Sequence, residues 1–118
     1  ALVGLAIEVL IRHAIPAKNV LGHSDIAPER KQDPGELFPW QRLAAMNVGY
    51  WPKYELEPNS PNIADSKLRE NLSSFGYNPE SPLSDVVTAF QRHFRSTNVD
   101  ATVDSETALS IATCAKIA

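Results

Sequence analysis

The sequence predicts two structural units of different class: an α/β unit over residues 1–48 and a small all-α unit of three helices over residues 63–118, joined by a linker at 49–62. Three observations support this division. Apolar residues first follow helical spacing and then form a short run that is typical of a buried strand. A proline-rich break follows, and the remaining residues form three amphipathic segments with helix start and stop signals. We expect the first unit to be the C-terminal fragment of a mixed sheet flanked by helices.

Composition and charge limit the classes of protein to which the chain can belong. Its 118 residues, 43% of them apolar, are enough for about one ordinary domain with a core. A formal net charge of -3 argues against nucleic-acid binding, which needs a concentrated basic face. No apolar run approaches the roughly 20 residues that span a bilayer. The single cysteine, Cys114, excludes an internal disulfide and a cysteine-rich zinc module, and its alanine-rich surroundings predict a small buried side chain.

The first predicted element is a helix at the start of the chain. Its apolar positions recur at helical spacing: Leu2, Leu5, Ala6, Val9 and Leu10. This pattern is typical of a helix packed on a sheet. The helix is expected to end near His13, because Pro16 disfavours the helical conformation of the residue before it. Since the chain begins inside this helix, without a methionine or a signal-peptide pattern, we expect an upstream segment to be missing from it.

A short apolar run at residues 20–22 predicts a buried strand that places His23 at its end. Residues 24–39 show no periodicity and contain three prolines, so we expect a structured loop. Structured loops on a rigid scaffold are where catalytic residues concentrate. Residues 40–46, which begin with Trp40, are expected to form a short helix that closes the first unit.

The predicted loop carries a histidine, a lysine and an aspartate whose combination indicates half of a zinc site. Taken alone, His23 would be a hydrogen-bonded structural residue, Asp33 a turn starter and Lys31 a solvated side chain. Together, imidazole nitrogen and carboxylate oxygen suit zinc, and a lysine beside them can stabilise an oxyanion that forms at the metal. Zinc with a position open to water is typical of hydrolases. A catalytic zinc normally has three protein ligands, so this site is incomplete.

Residues 20–35 resemble the signature of zinc-dependent N-acetylmuramoyl-L-alanine amidases of the AmpD/AmiD type, and the Phe-Pro-Trp of residues 38–40 follows as in that family. About fifteen positions match at fixed spacing. The resemblance implies that His23 and Asp33 are ligands of Zn2+. It also implies that Lys31 helps to stabilise the tetrahedral intermediate of the reaction.

The same family uses another histidine ligand and a glutamate that acts on the zinc-bound water, both upstream of this motif. Glu8 and His13 belong to the predicted first helix and fit neither role, and His93 is expected on the surface of a later helix. We therefore expect the missing residues on an absent N-terminal segment, a companion chain from the same precursor. Asp25 and Arg30 are expected to position the groups at the metal.

Residues 47–62 break the pattern with three prolines and predict a semi-rigid linker, whose Trp51 is expected to pack on one of the flanking units. Three helices follow. The first has an apolar stripe, an N-terminal cap at Asp65 or Ser66, and Gly76 as its C-terminal cap. The second begins near Ser84, and Asp104 caps the third. The expected core residues are Leu68, Leu72, Phe75, Phe90 and Phe94.

These helices resemble the three-helix peptidoglycan-binding domain. The shared features are a leucine-rich helix ending in Gly-Tyr at 76–77, a Phe-Gln pair at 90–91 and an acidic residue three before Thr107. That family usually has an Asp-Gly turn before its third helix, where this chain has Asp-Ala at 100–101. Candidate glycan contacts are Gln91, Arg92 and Arg95.

Both resemblances imply the same substrate, peptidoglycan or muropeptides. The first implies hydrolysis of the amide between N-acetylmuramic acid and L-alanine with Zn2+ as cofactor, and the second a module that raises the local substrate concentration. The implied location is the periplasm or cell envelope, with an outer-membrane lipoprotein as one form; a membrane anchor would lie outside this chain. Two alternatives stay open: a non-catalytic peptidoglycan-binding protein, and a regulatory protein that uses the three helices as a docking surface.

Overall fold

The computed structural model describes residues 2–13, 15–29, 31–32, 34–35, 37–53, 64–96 and 99–117, without the side chain of His23. Within these ranges the chain forms six α-helices and one 3-10 turn, the turn at Ala17–Asn19. The helices are α1 (Leu2–His13), α2 (His23–Ile26), α3 (Trp40–Ala45), α4 (Asp65–Phe75), α5 (Leu83–Phe94) and α6 (Ser105–Ala115). Among the described helices, none is long and apolar enough to cross a membrane.

The prediction of an α/β unit at residues 1–48 is wrong, because the described residues contain no strand and no sheet. The apolar run at residues 20–22 leads directly into α2. Its backbone groups are used locally: the N–H of Val20 donates to the carbonyl of Ala17 at 3.2 Å, and the N–H of Gly22 donates to the carboxylate of Asp25 at 3.1 Å. A strand is held by a ladder of hydrogen bonds to a neighbouring strand, and here local turns take the place of that ladder.

Helix α1 forms where the apolar spacing predicts it and ends at His13, but it does not pack on a sheet. None of its described residues is buried, and Leu2 and Leu5 are 56% and 62% exposed. The apolar face of α1 borders an open groove of about 390 Å³, and residues between Ile15 and Leu21 line its other side together with Val48. Among the residues that the structure describes, the neighbours of this helix lie along its apolar face.

The hydrophobic core lies among α4, α5 and α6. Its buried residues are Leu68, Leu72, Phe75, Tyr77, Val86, Val87, Ala89, Phe90, Phe94, Ile111 and Cys114. The apolar stripes predicted for the three helices therefore face one another. Tyr50 and Trp51 pack against this core from outside, and the ring of Trp51 lies 5.8 Å from that of Phe94. The prediction that Trp51 packs on a flanking unit is confirmed.

The sequence predicted the C-terminal end of α4 correctly and the cap at its N-terminal end wrongly. Gly76 has a φ of 128°, a left-handed conformation that favours glycine, and its N–H donates to the carbonyl of Leu72 at 3.1 Å. At the other end the residue before the helix is Ala64, with no side-chain cap. The prediction that Asp65 or Ser66 caps α4 is wrong.

The division into residues 1–48, 49–62 and 63–118 stays a prediction, because residues 54–63 lie outside the described part of the chain. The two predicted units are in contact. Helices α2 and α3 both touch α5, so the segment with the predicted metal ligands lies directly on the three-helix unit.

Cys114 is fully buried in the core, which confirms the prediction of a small buried side chain. Burial raises the pKa of its thiol from 9.0 to about 12, because a thiolate is disfavoured away from water. In the unfolded chain the thiol loses its proton near its ordinary pKa. Between these two values the folded state therefore holds one proton more than the unfolded state.

We expect the free energy of unfolding to fall as the pH rises above about 9, with this thiol contributing about 1.4 kcal/mol per pH unit. Denaturant titrations from about pH 8 to about pH 11 measure the slope. The variant Cys114→Ala should show a shallower slope whatever its stability at neutral pH. An equal slope in both proteins would show that the buried thiol does not cause the alkaline sensitivity.

Candidate functional site

The predicted metal-binding segment begins at α2. The backbone of His23 forms the first residue of this helix, whereas its side chain, Arg30 and Asp33 lie outside the described residues. Lys31 is exposed, and its backbone N–H donates to the carbonyl of Ala27 at 2.9 Å. The described part of the chain contains no cluster of three or more side chains that could hold a metal ion. The roles of His23, Lys31 and Asp33 therefore stay predictions.

Two hydrogen bonds join described backbone groups close to position 33 in the sequence. The N–H of Gly35 donates to the carbonyl of Gln32 at 3.0 Å, and Gly35 has a φ of 55°. The N–H of Phe38 then donates to the carbonyl of Gly35 at 3.3 Å. These bonds link the backbone of Gln32, Gly35 and Phe38.

Asp25 is a buried polar residue of this segment with several hydrogen-bond partners. It is 5% exposed, and its carboxylate and backbone form a closed ring with Gly22. The N–H of Gly22 donates to Oδ2 of Asp25 at 3.1 Å, and the N–H of Asp25 donates to the carbonyl of Gly22 at 3.2 Å. The two bonds enclose the backbone of His23 and Ser24.

Two residues of the three-helix unit donate hydrogen bonds to the same carboxylate. The hydroxyl of Tyr77 donates to Oδ1 of Asp25 at 2.5 Å, and Nδ1 of His93 lies 2.7 Å from Oδ2. An ionised carboxylate only accepts, so Nδ1 of His93 carries the hydrogen. Burial and the nearby carboxylate raise the pKa of Tyr77 well above its usual 10.0, so its hydroxyl keeps its proton and remains a donor.

His93 is 3% exposed, so the prediction that it is a surface residue is wrong. Its ring stacks on Trp40 with centroids 3.8 Å apart and an interplanar angle of 13°. The sequence contained a signal for this burial, since Val86, Phe90 and His93 lie at i, i+4 and i+7 on one face of α5. A lone histidine in an apolar stripe gives no indication of its partner.

A second contact crosses the same boundary beside this cluster. The hydroxyl of Ser81 donates to Oε2 of Glu29 at 2.8 Å, and Ser81 is buried. The segment with the predicted ligands is thus joined to the three-helix unit by polar contacts as well as by the Trp40–His93 stack.

The candidate glycan contact Gln91 has a structural role in the described fold. It is fully buried, and its Oε1 accepts hydrogen bonds from the backbone N–H groups of Asp100 and Ala101 at 3.1 and 2.9 Å. Its Nε2 donates to the carbonyl of Thr102 at 2.9 Å. Ala101 has a φ of 61°, the conformation that the Asp-Gly turn of the resembling family would give to glycine. Gln91 therefore holds this turn although the glycine is missing.

Arg95 is also tied to the start of α6. Its guanidinium contacts Asp104 at 2.5 Å and Glu106 at 3.0 Å, and it donates to Oγ1 of Thr107 at 3.1 Å. Asp104 caps α6 by accepting from the N–H of Thr107 at 2.9 Å, as predicted. The pKa of Asp104 is lowered below its usual value. Partial burial acts to raise this pKa, but the hydrogen bonds from Thr107 and the positive charge of Arg95 have the larger effect. Arg95 thus fixes the position of the N-terminal end of α6.

An open cleft of about 870 Å³ lies where α3 meets the C-terminal end of α5. Its lining includes Gln41, Trp51, Lys53 and Arg95. Lys31 is not among the described residues that line it.

No protein-family model matches the sequence. The chain is 39% identical over 119 residues to the N-acetylmuramoyl-L-alanine amidase AmiD of Escherichia coli, a match that covers 91% of this chain and 43% of that protein. It is 51% identical over 45 residues to the 1,6-anhydro-N-acetylmuramyl-L-alanine amidase AmpD of Enterobacter cloacae, covering 38% of this chain and 24% of that protein.

Two solved structures share the fold over 99% of the chain. One is E. coli AmiD in complex with its substrate anhydro-N-acetylmuramic acid-L-Ala-D-gamma-Glu-L-Lys, with a TM-score of 0.87, 36% identity and 50% of that chain covered. The other is AmpDH3 from Pseudomonas aeruginosa, with a TM-score of 0.90, 32% identity and 51% of that chain covered. The chain spans about half the length of these relatives.

We expect Gln91→Leu to lower the free energy of unfolding by about 2–3 kcal/mol, because two backbone N–H groups lose their acceptor inside the fold. Gln41→Leu on the exposed side of α3 is the matched control and should change stability by less than about 0.5 kcal/mol. Denaturant titration measures both. Equal stability of the Gln91 and Gln41 variants would contradict the structural role of Gln91.

Proposed function

We propose that this chain, a homologue of the AmiD and AmpD N-acetylmuramoyl-L-alanine amidases, is part of a zinc hydrolase that cleaves the amide between N-acetylmuramic acid and L-alanine. The observation that carries the proposal is the shared fold over 99% of the chain with AmiD, whose solved complex holds a substrate containing this amide. The proposed substrate class is peptidoglycan or the muropeptides derived from it.

The chain supplies two donors of the chemistry that zinc prefers, the imidazole of His23 and the carboxylate of Asp33. The described backbone supports such a site at His23, which begins a helical turn enclosed by the Asp25–Gly22 ring. When bound, zinc would lower the pKa of its water to about 7 and polarise the scissile carbonyl.

Lys31 is the residue of this chain proposed to act on the reacting atoms. The substrate's carbonyl oxygen gains negative charge when water attacks, and an ammonium group close to it stabilises that charge. One such donor contributes about 3 kcal/mol to lowering the barrier. The exposure of Lys31 is consistent with this role, because its ammonium group has to reach a substrate that approaches from solvent.

The remaining histidine ligand and the glutamate of the resembling family are proposed to lie on a second segment. The matched relatives are about twice as long as this chain, which leaves room in them for such a segment. We place the two residues on a companion polypeptide of the same precursor, and any membrane anchor on that part as well. The complete site would then be shared between the two.

The three-helix unit is proposed to bind peptidoglycan and to keep the hydrolase near its substrate, which places the protein in the periplasm or cell envelope. With Gln91 buried inside the fold, the open cleft lined by Trp51, Lys53 and Arg95 is the surface that we propose for the glycan. Aromatic and polar side chains together suit the apolar faces and hydroxyl groups of a sugar.

In the assembled protein, we expect Lys31→Ala to reduce turnover of an anhydro-muropeptide by about 100-fold or more while zinc content stays near that of the wild type. Asp33→Ala should instead release the metal, because it removes a ligand. Lys116→Ala, an exposed lysine at the end of α6, is the control and should behave as the wild type. Loss of zinc in Lys31→Ala would show that Lys31 is structural.

We expect native mass spectrometry of the isolated protein to reveal a second polypeptide bound to this chain, with one zinc ion per complex. The same sample under denaturing conditions should separate into two masses, because the proposed companion is a separate polypeptide. A single mass under both conditions, without zinc, would contradict the shared site. It would instead favour a non-catalytic peptidoglycan-binding protein.

A further inference from the structure

We propose that Tyr77 and His93 of the three-helix unit are positioning residues for the predicted metal ligand His23. They act through Asp25, whose carboxylate both of them contact. The consequence for zinc binding rests on the proposed function, whereas the positioning of the α2 backbone is a property of this chain alone. The three-helix unit would then help to build the metal site, in addition to binding peptidoglycan.

The first step of the argument concerns the backbone around His23. Two hydrogen bonds between Gly22 and Asp25, one in each direction, enclose residues 23 and 24. Helix α2 has only four residues, and so short a helix gains little stability from its own hydrogen bonds. The conformation of the chain at His23 therefore depends on where the Asp25 carboxylate is held.

The second step concerns what holds that carboxylate. Its two oxygens are contacted by donors that lie 52 and 68 residues later in the chain, Tyr77 at 2.5 Å and His93 at 2.7 Å. Both donors are themselves buried and packed against the core, so neither can follow a displaced carboxylate. The positions of these donors therefore fix the position of the carboxylate, because a buried charge without hydrogen-bond partners is strongly disfavoured.

The third step concerns the orientation of His93. The stack on Trp40 fixes the plane of its ring, and Nδ1 lies at the carboxylate. Its Nε2 is buried and has no hydrogen-bond partner among the described residues. Within the described part of the chain, the polar contact of this imidazole is therefore directed to Asp25, as expected of a residue that orients another group.

Amide hydrogen exchange of the 118-residue chain tests the positioning without any metal. In Tyr77→Phe and His93→Ala, the amides of Gly22 and Asp25 should exchange about tenfold faster than in the wild type, the effect of losing one hydrogen bond. Ser81→Ala removes a hydroxyl from the same boundary without touching Asp25 and should leave both amides unchanged. His93→Asn, which can present an N–H near the Nδ1 position, should restore protection.

A general loss of stability is separated from positioning by Ile111→Val. This change weakens the core on α6, away from Asp25, and should not accelerate Gly22 and Asp25 selectively. Tyr77→Phe keeps the ring in the core, so it remains informative even where His93→Ala fails to fold. Unchanged protection of Gly22 and Asp25 in Tyr77→Phe, or equal acceleration in Ile111→Val, would overturn the inference.

Zinc affinity of the assembled protein, measured by competition with a chelator, gives the second readout. Tyr77→Phe should bind zinc about 10-fold more weakly than the wild type, the lower end of the effect of groups that orient a ligand. An affinity equal to that of Ser81→Ala would overturn the link between these residues and the metal. Absence of zinc from the wild type itself would overturn the proposed function, while the exchange rates still decide whether Tyr77 and His93 position α2.

Discussion

The buried carboxylate of Asp25 is the constraint on which the arrangement of this chain depends. A carboxylate removed from water needs donors for both oxygens, and this one finds them on its own backbone and on the three-helix unit. Two of the donors are separated from it by more than fifty residues of chain. The contact of α2 and α3 with α5 follows from this requirement, and the Trp40–His93 stack adds an apolar contribution beside it.

A second buried polar group organises the other end of the three-helix unit in the same way. Gln91 accepts hydrogen bonds from two consecutive backbone N–H groups and donates one to a backbone carbonyl. It thereby satisfies the polar backbone groups of a turn that lies outside the helices. This support is needed at Ala101, because a left-handed conformation costs an L-residue roughly 1–2 kcal/mol. Gln91 satisfies the backbone of a turn nine to eleven residues away, whereas Asp25 satisfies the nearby backbone of Gly22 and contacts two side chains that are distant in sequence. Neither residue is free for a ligand.

The sequence was informative for several elements whose deciding interactions are local, although the predicted cap at Asp65 or Ser66 was not among them. The helical spacing, the glycine cap at Gly76 and the aspartate cap at Asp104 predicted α4 and α6 closely, since each signal acts within a few residues. The strand at residues 20–22 was predicted wrongly, because an apolar run does not reveal whether a neighbouring strand exists. For the candidate site, the motif predicts the segment, but the burial of Asp25 and His93 could not be predicted. Their pairing depends on a contact across 68 residues, which no periodicity records.

The shared carboxylate also bears on how such proteins can change in evolution and in the laboratory. A binding domain joined to a catalytic domain only by a linker can be exchanged for another without loss. Here, a replacement for the three-helix unit would have to bring a phenol and an imidazole to the same point, or Asp25 would be left as a buried charge. Asp25, Tyr77 and His93 are therefore expected to be inherited together across the predicted domain boundary, and recombination at the predicted linker would separate them.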